Sequence, residues 1–119
     1  MLRKIDPQAG MDAIRAYARG KELDTATLRL AVRFALADFA QRHPGKTVEI
    51  RIPWIGAVQA IAGPVHRRGT PPNLVEMDGE TWLRLVIGKE VAPEKITISG
   101  ARADISGYLP IYRNLGSAD

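Results

Sequence analysis

Four side chains in one stretch of this chain have the types needed for anion binding or proton transfer: His66, Arg67, Arg68 and Glu76. They lie in the run Gly63-Pro64-Val65-His66-Arg67-Arg68-Gly69-Thr70-Pro71-Pro72-Asn73-Leu74-Val75-Glu76-Met77-Asp78. Prolines on both sides stiffen the basic loop, and Gly69 allows a turn. A stiff loop offering guanidinium donors can hold a carboxylate or phosphate by paired hydrogen bonds. The same arginines also suit a solvated connection that pairs with nearby carboxylates. Glu76 shares a strand face with Leu74, while Val75 and Met77 take the other. If the Leu74 side is the covered one, Glu76 is half-buried and needs a cationic partner, for which Arg68 and Arg102 are the candidates. His66 and Glu76 also have the types for an acid/base pair. No spacing demands that role, and an ion pair fixing the loop is the simpler reading.

Other chemistries find little support. The chain has no cysteine and two histidines, His43 and His66. Disulfides, thiolate zinc sites and cysteine nucleophiles are thereby excluded, and two isolated histidines make a weak metal site. There is no Walker A loop, dinucleotide fingerprint or nucleophile elbow. Ser99, Ser106 and Ser117 do not neighbour a histidine. No catalytic residue, cofactor or metal is expected, and the reading is of a protein that is not an enzyme. Seventeen basic against thirteen acidic residues leave a net charge of +4, spread along the chain rather than gathered in the dense patch of a nucleic-acid binder. That balance suits anionic headgroups or acyl carboxylates. The first residues lack a signal-peptide pattern, and no apolar run is long enough to span a membrane. A cytoplasmic protein without integral membrane association is expected.

The elements that must position these groups are legible from caps and periodicity. With 119 residues, a single domain over 1–119 is expected. Asp6-Pro7 starts a helix that Gly20 stops, and Asp24 caps a second from Thr25 to His43 that ends at Pro44-Gly45. Val48, Ile50, Ile52 and Trp54 alternate with polar positions as a half-buried strand. Ile55-Gly56 then turns the chain into a hairpin partner over Ala57–Ala62. Asn73–Met77 is a third strand, and Asp78 caps a helix with Trp82, Leu85 and Val86 that Gly88 ends. Ile96 and Ile98 begin a further strand. Gly100 permits a bend, after which Ala101, Ala103 and Ile105 continue on one face. Runs of like elements indicate an α+β fold, with helices on one face of a mainly antiparallel sheet.

The second helix is apolar on two sides. Leu28, Val32, Ala35, Leu36 and Phe39 form one stripe; Leu30, Ala31, Phe34 and Ala37 form another; Arg29 and Arg33 mark a narrow polar strip. Such a helix must be covered on more than one side. It either lies centrally between a sheet and another helix, or gives one stripe to a ligand cavity or a subunit contact. Trp54 and Trp82 are core residues or line the mouth of an apolar pocket.

The segments Arg51–Gln59, His66–Asp78, Thr81–Gly88 and Ser99–Ser106, followed by Leu109-Pro110, resemble the sterol carrier protein 2-like family, in particular its small bacterial branch. The resemblance implies a sheet of about five strands with helices on one face, and between them an apolar tunnel for fatty acids, acyl-coenzyme A or sterol-like lipids. It brings no catalytic residues. On that reading Leu28, Val32, Leu36, Leu85 and Val86, with Trp54 and Trp82, contact the tail of the ligand. Arg68, His66 and Glu76 stand at its acidic head. The function implied is a non-enzymatic lipid carrier. The alternatives are a protein–protein assembly module with a vestigial cavity, including a homo-oligomer, and an accessory domain of an enzyme system. One departure stands out. Where the family usually has a further helix, this chain has only Lys89–Lys95, with a proline inside, so at most one turn fits and one wall of the tunnel is reduced.

Overall fold

The computed structural model describes residues 5–63 and 73–115. The element order is α1 (Pro7–Ala18), α2 (Thr25–Arg42), β1 (Val48–Ile52), β2 (Gly56–Ala60), β3 (Asn73–Glu76), α3 (Gly79–Ile87) and β4 (Thr97–Ser99), with single 3-10 turns at Pro93–Lys95 and Ser106–Tyr108. Each α-helix starts where a capping aspartate places it. Asp6 accepts from the Gln8 N–H, Asp24 from Thr27, and Asp78 from Thr81 at 2.8 Å, so an otherwise unpaired amide of the first turn is satisfied in each case.

Asp78 gives a measurable consequence. Hydrogen bonding to Thr81 is the main cause holding its carboxyl below the ordinary value of 3.8, with a smaller contribution from Lys95. A depressed carboxylate contributes stability that is present above the unfolded-state value and is lost as pH falls through the lower folded-state value. Asp78→Ala is expected to cost about 1 kcal/mol near neutral pH. The gap between urea titrations of the two proteins should begin to narrow below about pH 4 and close only once the pH is below the depressed folded-state value. A gap that persists in acid would locate the effect elsewhere.

The sheet has four strands among the described residues, in the order β2-β1-β3-β4. β1 pairs antiparallel with β2, β3 antiparallel with β4, and β1 pairs parallel with β3. The sheet is therefore mixed, where about five strands in mainly antiparallel order were expected. The reason is placement. After β2 the chain does not continue the meander: β3 lies on the far side of β1 from β2, and because β2 runs opposite to β1, the strand that returns from it runs parallel to β1.

Register assigns the faces. Val48 lies opposite Ala60, Ile50 opposite Val58 and Val75, and Val75 opposite Ile98. Val48, Ile50, Ile52, Ala60 and Val75 are buried on this side. α2 packs against β2, with α1 and α3 packed on α2. The outer face carries Glu49, Arg51, Leu74 and Glu76. α2 is thus the central helix. Its first stripe supplies Val32, Ala35, Leu36 and Phe39 to the core, and Phe34 of the second stripe lies against α1 at Gly10. The narrow strip with Arg29 and Arg33 stays exposed.

The C-terminal segment is tied back onto α2. The Tyr112 hydroxyl donates to Asp38 Oδ2 at 2.6 Å, and burial first, then this bond, pushes its pKa well up. His43 ends α2 with its ring against Phe39 (5.0 Å between centroids) and Tyr108 (4.8 Å).

Candidate functional site

α2, α3 and the β1–β2 connection meet at Gly79, the first residue of α3. A Cβ there would stand 3.2 Å from Ile55 Cδ1, 3.3 Å from Val32 Cγ2 and 3.8 Å from Leu28 Cδ2. The absent side chain is what lets the hairpin close onto the helices. Ile55 and Leu28 are half-buried here, while Val32 below them is fully buried. The junction forms one end of the apolar layer between helices and sheet. It is a rim where partly exposed side chains overlie buried ones.

The hairpin connection has an unusual conformation. The Ile55 N–H donates to the Ile52 carbonyl at 3.0 Å, closing a four-residue turn with Pro53 and Trp54 in the middle. Trp54 has φ of +71°. Proline followed by a positive φ is the pattern of a type II turn, whose third position favours glycine or asparagine. A tryptophan held there costs about 1–2 kcal/mol in backbone strain. Packing does not offset it, since Trp54 is 94% exposed. Arg33 approaches the same turn from α2, its Nε donating to the Ile55 carbonyl at 3.2 Å.

The residues expected to contact an apolar tail separate into two groups. Val32, Leu36, Trp82 and Val86 come together in the core, each at 0% exposure. Trp82 stacks edge-on to Phe39 at 5.8 Å. Side chains with no surface left for water border no open channel, so in this state the space along them is filled by protein. Leu28 and Leu85 pack at the margin of this cluster and are half-buried. Trp54 was expected to end a strand in the core or at a pocket mouth. It stands in the turn instead, because β1 stops at Ile52, before the proline.

Of the groups expected at an acidic head, His66 and Arg68 lie outside the described residues. Glu76 is on the outer face of the sheet, in register with Arg51, whose guanidinium pairs with Glu49 at 2.8 Å. The covered face of β3 is the Val75 side rather than the Leu74 side, which leaves Glu76 half-buried and remote from the helix layer. Arg102 does not serve it. The Arg102 backbone N–H donates to Asn73 Oδ1, and no side-chain bond between Arg102 and Glu76 forms.

Two clefts of about 320 Å³ each occur elsewhere, and both are polar. One lies beside α3, bordered by Asp78, Glu80, Arg84, Glu90 and Lys95. The other lies near the start of β1, bordered by Thr47, Ile61, Gly63, Arg102, Asp104 and Tyr108. Among the described residues no cluster of His, Cys, Asp and Glu could hold a metal ion, and no helix is long and apolar enough to cross a membrane.

Residue types alone did not disclose Gly79, Ile55 or the placement of Arg33. One signal was present: Pro53 after an alternating strand marks a turn, yet Trp54 continued the period of two and concealed it.

The short interval 89–95 forms only the Pro93–Lys95 turn, and the Arg84 guanidinium donates twice to the Glu90 carbonyl, at 2.8 and 3.0 Å, holding the segment against α3. No individually curated protein matches the chain. A sequence model of the family described as bacterial SCP ortholog (SCP denoting sterol carrier protein) matches residues 24–111. That span runs from the cap of α2 to the segment after the second 3-10 turn and takes in every strand among the described residues, so the chain belongs to this sterol carrier protein 2-like family.

Proposed function

We propose that this protein is a non-enzymatic carrier of an apolar ligand with an acidic head, a fatty acid, acyl-coenzyme A or sterol-like lipid, taken up between α2, α3 and the sheet. Family membership is the observation that carries the reading. The apolar layer gives it a location. Leu28, Val32, Leu36, Leu85 and Val86 form a continuous apolar path into the core from the junction at Gly79. Because the deeper of these side chains are fully packed, uptake requires the helices to part from the sheet. The rim at Leu28 and Ile55, where the side chains are only half-buried, is a place at which that movement can start. Burying an acyl chain gains roughly 0.8 kcal/mol per methylene, so a partly opened layer suffices for binding.

Native mass spectrometry of the purified protein, with organic extraction and lipid analysis, tests the reading. The expected result is co-purified acyl species near one per chain, or stoichiometric uptake of added palmitate. A clean apo mass that palmitate does not change would overturn it.

The filled interior favours one other reading, an assembly module with a vestigial cavity. In that case the apo mass comes with a concentration-dependent subunit number in sedimentation.

A further inference from the structure

We propose that the turn at Pro53, Trp54 and Ile55 docks this protein on an anionic lipid surface. A large aromatic side chain is held almost fully exposed at the tip of a hairpin, in a backbone conformation that tryptophan disfavours. Neither the exposure nor the conformation serves the fold, since the side chain is 94% exposed and glycine or asparagine would suit the turn better. What the arrangement does achieve is presentation: the ring is offered to solvent from the turn between β1 and β2.

The surroundings select the partner. Arg33 is fixed at the turn by its bond to the Ile55 carbonyl, and Arg29 lies one helical turn earlier on the same exposed strip. Neither makes an ion pair among the described residues. Of the acidic groups around this junction, Asp78 caps α3 and Glu80 accepts from the Tyr17 hydroxyl at 3.5 Å, while Glu49 on β1 pairs with Arg51. A lone exposed tryptophan beside arginines that carry no ion-pair partner among the described residues lacks the extended apolar centre of a protein interface. It matches the boundary layer of a bilayer, where indole rings settle at headgroup depth and arginines meet lipid phosphates. The net charge of +4 acts in the same direction.

The inference builds on the carrier reading, because Ile55 follows Trp54 directly and closes the junction over Leu28 and Val32. A membrane that engages the turn therefore acts on the element covering the apolar layer. Docking itself needs no bound ligand, so it can succeed or fail independently of palmitate uptake.

The test uses vesicles of phosphatidylcholine mixed with phosphatidylglycerol, against pure phosphatidylcholine, with the ligand-free full chain. Trp82 is already buried, so a blue shift of emission on adding vesicles reports Trp54. A blue shift with the anionic vesicles is expected. Trp54→Gly should abolish it and weaken sedimentation with vesicles by about tenfold. Arg33→Gln should weaken sedimentation by about fivefold, with the remainder falling as salt is raised. Trp54→Gly should also melt a few degrees higher than the wild type, since glycine relieves the strained turn; this separates a lost contact from a lost fold. Three outcomes would overturn the proposal: no association with anionic vesicles, equal association by Trp54→Gly, or self-association in solution that Trp54→Gly removes while vesicles have no effect.

Discussion

Gly45→Ala is expected to destabilise the fold by about 4 kcal/mol, combining backbone strain with a steric clash against the main chain. Gly45 sits in the connection between α2 and β1 with φ of +152°, and a Cβ there would run into the Ile61 carbonyl. That carbonyl is fixed. It accepts from the Thr47 N–H at 3.1 Å, while the Ile61 N–H donates to the His43 carbonyl at 2.6 Å. Ile61 itself has a positive φ of 73° and is buried, so the connection is clamped around a residue that is already strained. A flexible side chain would move aside, but this backbone cannot do so without breaking both bonds. Against a total stability of about 5–15 kcal/mol, the loss should lower the melting temperature by about 20 °C. Urea and thermal unfolding check it. A change below about 1 kcal/mol would mean that the clamp yields.

Trp82→Ala should have a comparable effect, about 4 kcal/mol, because it empties the centre of the core between α3 and Phe39 of α2. The more discriminating variant is Trp82→Phe. The indole Nε1 is buried without a hydrogen-bond partner. Replacing it with an apolar ring removes that penalty while leaving a smaller void, so a loss of only about 1 kcal/mol is expected. Equal losses in the two variants would show that the indole N–H is satisfied after all. A near-silent Trp82→Phe would identify the orphan donor as a tolerated flaw, retained because a tryptophan fills the space.

Much of the local structure was legible in the sequence for identifiable physical reasons. Asp6, Asp24 and Asp78 announced three helices because a short acidic side chain followed by helix-forming residues has few other uses. The double stripe on α2 announced burial on two sides, and the helix does lie between α1, α3 and the sheet. Strand order was not legible. A period of two says which side chains share a face, but not which strand lies alongside. The parallel pairing of β1 with β3 depends on where the chain crosses, and no residue type encodes that. The candidate site divides in the same way. Side-chain types placed Val32, Leu36, Trp82 and Val86 together on the apolar layer. Whether they line a space or fill it depends on the fit of volumes to within a methylene, which types do not report. The turn at Trp54 was missed because alternation outweighed the proline, although Pro53 was the stronger signal.

The interval 89–95, which forms only one 3-10 turn, bears on the margin of the sheet. Ile98, at the centre of β4, faces the helix side in register with Val75, yet it remains 56% exposed, and no helix among the described residues covers it. An apolar side chain on an outermost strand invites another chain to add itself there, and repeated addition leads to fibres. The sequence around Ile98 opposes this. β4 is only three residues long, Pro93 and Lys95 precede it, and the chain bends away at Gly100. The template is too short and too interrupted to propagate. With no described helix over its last strand, the protein keeps that strand below the length at which an open edge becomes a hazard to solubility.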